Sequence, residues 1–125
     1  VPIRANMLTV YNKPDKIAQM ESARDIELVS LTHFRGRTFN NAVCIVDEFQ
    51  NLTRQQFQMV ISRLGKGSTM IFCGDTKQCD LKNKNDSAIN EIPKITKSQF
   101  VFDVKLKDNH RHEALDEILD LLNDT

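Results

Sequence analysis

The chain has 125 residues, enough for one domain with a real hydrophobic core. Basic and acidic residues balance at 17 each, so net charge gives no drive toward nucleic acid or anionic lipid, and any such binding must rest on local clusters. No apolar run approaches membrane-spanning length, no secretory signal is visible, and three cysteines without a Cys-x-x-Cys argue against a disulfide scaffold or a zinc module and for a reducing cytoplasm.

Trp is absent, so no base-stacking platform stands out, and the first residue is Val rather than Met, as expected of a processed or truncated piece. Met7 to Tyr11 suits a short strand or helix, and Asn12-Lys13-Pro14-Asp15 is a turn signal. A helix is expected from Lys16 to Ala23, and Ile26 to Leu31 alternates as a strand does. Thr32 to Thr38 is a polar connection or short helical turn with Arg35 and Arg37 on either side of Gly36. Two guanidiniums so placed suit phosphate oxygens, of a nucleotide or of a nucleic-acid backbone; a solvated turn is the plain alternative. Lys82 and Lys84 extend this basic character, but Asp80 and Asp86 dilute it.

Val43-Cys44-Ile45-Val46 runs straight into Asp47-Glu48. A continuous apolar run of this kind suits a parallel strand buried on both faces, and open α/β folds bind ligands beyond the carboxyl ends of such strands. In phosphate chemistry the first acid holds Mg²⁺, usually through water, and the second orients or deprotonates an attacking water. The next helix is marked by a capping box, Thr53 with Gln56, and by an apolar stripe of Phe57, Val60, Ile61 and Leu64, with Gly65 as its left-handed terminus. A second apolar strand, Ser68 to Cys73, closes on Gly74-Asp75. The interval suits a right-handed parallel crossover.

Gly74 lets the chain turn off the strand and approach a ligand closely, and Gln78 follows Asp75 by three residues. A neutral amide there can sense a γ-phosphate without adding charge to a crowded site. Lys82 to Asp86 is a polar loop, Ser87 to Ile92 a short helix that Pro93 ends, and Phe100 to Leu106 an alternating strand. A last helix carries Leu115, Ile118, Leu119 and Leu122 on one stripe. Arg111 lies just before it, flanked by His110 and His112, where a guanidinium can reach a phosphate that gains charge in a transition state.

Taken in order, Arg35-Gly36-Arg37-Thr38, Val46-Asp47-Glu48-Phe49-Gln50-Asn51, Arg63-Leu64-Gly65-Lys66-Gly67-Ser68 and Gly74-Asp75-Thr76-Lys77-Gln78-Cys79-Asp80 closely resemble the PhoH-like proteins. Those are P-loop ATPases related to the core of superfamily-one helicases. The resemblance runs from about Ile26 to Leu122. It implies a three-layer α/β/α sandwich with a mostly parallel, RecA-like sheet, the whole chain 1–125 being the C-terminal part of the ATPase domain, incomplete on its N-terminal side.

The resemblance also implies site roles. Asp47 would hold Mg²⁺ through water as the Walker B aspartate, and Glu48 would be the catalytic base. Gly74, Asp75 and Gln78 would form the nucleotide-facing loop, with Gln78 as γ-phosphate sensor. Arg111 would contact the γ-phosphate. Arg35, Arg37 and Thr38 would meet nucleic acid or a subunit interface in a homo-oligomer. ATP and Mg²⁺ are the implied cofactors, and RNA or single-stranded DNA the implied partner. Two departures stand out. Phe49 takes a place where the family usually has alanine, and no Gly-x-x-x-x-Gly-Lys-Ser/Thr occurs in the sequence. The isolated chain is therefore expected to be inactive, with an exposed sheet edge. Two rivals remain: a non-catalytic module that keeps the fold for nucleic-acid or protein contacts, and a Mg²⁺-dependent nuclease built on Asp47, Glu48 and Asp75.

Overall fold

The computed structural model describes residues 14–23, 26–107 and 112–123. The expected element at Met7 to Tyr11 lies outside them. The chain divides into two compact units, Val1–Ile95 and Thr96–Thr125.

In the first unit, helix α1 spans Pro14–Ser22, with Asp15 in its first turn, where a carboxylate complements the partly positive helix start. Ile17 is its fully buried anchor. Strand β1 spans Val43–Val46, helix α2 Arg54–Ile61 and strand β2 Thr69–Phe72. The strands pair in parallel, Val43 opposite Thr69 through Val46 opposite Phe72. The expected strand–helix–strand unit is therefore present, and the molecule is an α/β protein with a small parallel sheet.

Helix α2 begins as its sequence predicts. Thr53 Oγ1 accepts from Gln56 N at 3.2 Å, and Gln56 Oε1 accepts from Thr53 N at 2.9 Å. This reciprocal pair satisfies two amides that the first turn leaves without intrahelical partners. Phe57 and Val60 face the core, whereas Ile61 and Leu64, expected on the same stripe, are exposed. The helix stops at Ile61 because residues 63–65 turn to pair with Phe39: Phe39 N donates to Arg63 O and Gly65 N donates to Phe39 O. The left-handed glycine after this helix is Gly67, with φ +69°, rather than Gly65.

The core is one cluster of Phe49, Leu52, Phe57 and Ala88, against which Val46, Phe72, Leu31, Ile89, Ile92 and Ile95 pack. Phe49, Phe57 and Phe72 form an aromatic triangle with centroids 5.0–6.1 Å apart. Each of these rings, once buried, contributes about 1.5–3 kcal/mol. Side chains alternate along a strand, so Val46 and Phe72 face this cluster while Val43, Ile45 and Ile71 point the other way. That second face is open: Val43 is 68 % exposed and Ile45 51 %. The expectation of a strand buried on both faces is thus corrected; one face of β1 is covered.

Two further expectations change in this unit. Residues 27–30 are irregular, not a strand; no sheet partner lies beside them among the described residues, and Glu27 is instead clamped to Arg37. Pro93 does not end a helix. It sits second in the short helix α3, Ile92–Ile95, which continues a 3₁₀ turn at Ala88–Glu91. Proline fits there because first-turn amides need no intrahelical acceptor.

The second unit contains helix α4, Glu113–Asn123, where Leu115 and Leu119 are half-buried and Ile118 and Leu122 exposed. Phe100 to Leu106, expected as a strand, has no ladder partner among the described residues, and Phe100, Phe102, Val104 and Leu106 are all exposed. Its start is instead held in a local turn, with Phe100 N donating to Ser98 Oγ and Val101 N to Ser98 O. Among the described residues no helix is long and apolar enough to cross a membrane.

Gly74 follows β2 closely. A Cβ placed there would lie 2.6 Å from Phe49 Cδ1 and 2.7 Å from Gln50 Oε1. The close approach that requires glycine is therefore to this aromatic ring and this amide. Gly74→Ala should lower stability by about 1–3 kcal/mol, because a buried ring must shift, and is read as a reduced denaturant midpoint with an unchanged slope. Thr53→Ala should cost about 1 kcal/mol in the same assay, and a cost near zero would show that the capping box does not hold α2 in solution.

Candidate functional site

The carboxyl ends of β1 and β2 lie side by side because the strands are parallel and in register. Val46 O accepts from Cys73 N at 2.9 Å, and Cys73 O accepts from Phe49 N at 3.0 Å. The ladder thus extends past both strands into the two loops that carry the acids.

The first loop turns on Glu48, whose φ of 51° and ψ of 43° are left-handed. A non-glycine residue there costs on the order of 1–2 kcal/mol, so the surroundings must enforce it. Enforcement comes from both sides. Asp47 Oδ1 accepts from Glu48 N at 2.9 Å, and Glu48 O accepts from Asn51 N at 3.0 Å, closing a 3₁₀ turn at Phe49–Asn51. Phe49 enters the core, and Asp47 and Glu48 stay exposed. Phe49 is therefore a core residue, and the turn is packed through it.

The second loop runs from Gly74 to Asp80. Asp75 Oδ1 accepts from Lys77 N at 2.8 Å and Asp75 O accepts from Gln78 N at 3.3 Å, a tight turn that leaves the Gln78 side chain exposed. Asp75 is exposed as well. Asp47, Glu48, Asp75 and Gln78 thus stand on adjoining loops at one sheet edge.

What joins these loops is a pair of polar residues to which the motif gave no role. Gln50 is only 3 % exposed. Its Oε1 accepts from Asp75 N at 3.2 Å, and its backbone oxygen accepts from Ser87 Oγ at 2.5 Å and from Cys79 Sγ at 3.4 Å. Asn51 Oδ1 accepts from Asp80 N at 2.8 Å. Ser87 is itself buried, and Ala88 N donates to Leu52 O at 2.8 Å, so a third segment is stitched to the same turn. The sequence signal for this was present but weak: a Gln-Asn pair one residue after two acids, ahead of a capping box.

The basic stretch divides. Arg37 makes a two-pronged ion pair with Glu27, at 2.8 and 3.0 Å, and its guanidinium carbon lies 4.8 Å from the centre of the Phe39 ring. The hydrogen bonds that Arg37 donates to Glu27 strengthen its hold on its proton. Arg35 and Thr38 are exposed. Cys44 is half-buried, and burial pushes its thiol up, as expected of an unreactive packing residue. Arg111, with His110, lies outside the described residues.

Among the described residues no three His, Cys, Asp or Glu side chains gather as a metal cage. Asp47 and Asp75 are hard oxygen donors, the chemical type that binds Mg²⁺ singly or in pairs with water and phosphate oxygens.

Comparison with known proteins places the chain. The family described as PhoH-like protein matches residues 2–123. A PhoH-like protein of Synechocystis is 45 % identical over 87 residues, covering 70 % of this chain and 26 % of the relative. A PhoH-like protein of Mycobacterium leprae is 36 % identical over 110 residues, covering 86 % of this chain and 32 % of the relative. Protein PhoH of Escherichia coli is 50 % identical over 56 residues, covering 45 % of this chain and 16 % of the relative. The chain spans at most about a third of the length of these curated relatives. A match across nearly every residue, on an α/β frame with its acids at adjoining strand ends, makes this chain a member of the PhoH-like protein family.

Proposed function

We propose that this chain carries the acid and sensor loops of an ATPase whose glycine-rich phosphate loop comes from outside these 125 residues, and whose turnover is coupled to RNA or single-stranded DNA. The observation that supports this best is the continuous hydrogen bonding across the strand ends, which keeps Asp47, Glu48, Asp75 and Gln78 on adjoining loops. A phosphate-transfer site needs such fixed, convergent groups, because positioning and charge stabilisation supply most of its catalysis.

In this reading Asp47 would hold Mg²⁺ through water, with Asp75 on the adjoining loop. When bound, that ion would neutralise charge on the phosphates. Glu48, free of the core and fixed by its left-handed turn, orients the attacking water and accepts its proton. The Gln78 amide meets the terminal phosphate. Gly74 keeps the loop close against Phe49. Arg111 is given the γ-phosphate by the sequence resemblance alone, since it lies outside the described residues.

A second reading, a non-catalytic nucleic-acid-binding module, is favoured by one observation: Arg35 is exposed beside an Arg37 already engaged by Glu27. This same surface would serve RNA, single-stranded DNA or a second subunit in the ATPase as well.

In the complete protein Glu48→Gln should lower ATP turnover by at least about 100-fold with ATP binding retained, as removal of a general base requires. Unchanged turnover in a steady-state phosphate-release assay rejects the assignment. The 125-residue chain alone should release no phosphate above background. For the second reading, Arg35→Ala should weaken binding of a labelled single-stranded RNA and flatten its salt dependence, each phosphate contact contributing about 0.7 to the slope. Binding that ignores both salt and this substitution discards that surface.

A further inference from the structure

One buried polar side chain, Gln50, has no part in the proposed chemistry. Gln50 is almost wholly enclosed in the turn that follows the two acids. It lies two residues after Glu48, and its amide oxygen receives the Asp75 N–H three residues before Gln78. Its own backbone is pinned, because its carbonyl takes the Ser87 hydroxyl and the Cys79 thiol. The next residue, Asn51, takes the Asp80 N–H two residues after Gln78. The Gln78 loop is therefore gripped on both sides by consecutive residues of the turn that fixes Glu48.

We propose that Gln50 is a positioning residue that sets the Gln78 loop against Glu48, with Asn51 as its second grip. This deepens the ATPase reading and rests on it for its catalytic consequence. The physical basis is the cost of the alternative: with the amide oxygen gone, the Asp75 N–H behind Gly74 loses its partner at a half-buried place. The loop then relieves the loss by moving outward, and Gln78 moves with it. Phe49 and Gly74 do not prevent this, since they fill space without holding a proton donor. Gln50 is buried, so its proposed effect is on geometry alone.

The test compares Gln50→Met, which keeps length and volume but has no acceptor, with Gln50→Glu, which keeps an acceptor oxygen, in the complete protein. Hydrogen exchange by mass spectrometry is followed in residues 73–80 and in α2, with ATP turnover and ATP affinity measured alongside. Gln50→Met should speed exchange in residues 73–80 about tenfold, the loss of one hydrogen bond, and leave α2 unchanged. It should lower kcat about 10- to 100-fold with KM within about twofold, as misplacement of a positioned group does. Gln50→Glu should restore protection of residues 73–80 and part of kcat. Unchanged exchange in Gln50→Met overturns the proposal, and so does equal loss of protection in α2, which marks a general packing role. If the unsubstituted complete protein hydrolyses no ATP, the ATPase reading fails, while the exchange comparison still decides whether Gln50 holds the loop.

Discussion

One buried turn governs this structure. Phe49, Gln50 and Asn51 are three consecutive residues, and each ties a different part of the chain to the strand end. Phe49 enters the aromatic cluster with Phe57 and Phe72. Gln50 takes up donors from Asp75, Ser87 and Cys79, and Asn51 takes up Asp80. A glutamine buried to this degree is costly unless its polar atoms find partners, so a loop built on it has little freedom to shift. The positive φ of Glu48 is a consequence: the chain must reverse at once to carry Asp47 outward and Phe49 inward.

The same turn places the Phe49 ring close beside Gly74, which leaves the space for it. The two positions depend on each other. The aromatic triangle gives this small domain much of its core, and the exposed acids stand directly above it. Stability and site geometry therefore rest on one set of side chains, and the loops at the sheet edge take their rigidity from packing beneath them.

The sheet has a second, uncovered face at Val43, Ile45 and Ile71. The basic stretch also divides its labour. Glu27 and Phe39 hold Arg37, which fastens residues 27–39 together, whereas Arg35 faces solvent.

Local signals were legible in the sequence wherever short-range physics decides. The capping box at Thr53 and Gln56, the apolar strands closing on acids, and the last helix all follow from spacing and residue type. So did the placement of Asp47, Glu48, Asp75 and Gln78 at strand ends, because parallel pairing aligns carboxyl edges. Non-local matters were not legible. The alternating residues 100–106 and 26–31 have strand chemistry, but a strand exists only where a neighbour supplies its hydrogen bonds, and none does among the described residues. The sequence by itself determined which residues carry acid, amide and guanidinium groups and the order in which they come. Only the tertiary structure decided that Gln50 and Asn51 bind the loops together, since a hydrogen bond between residues 25 or 29 positions apart leaves no periodic trace along the chain.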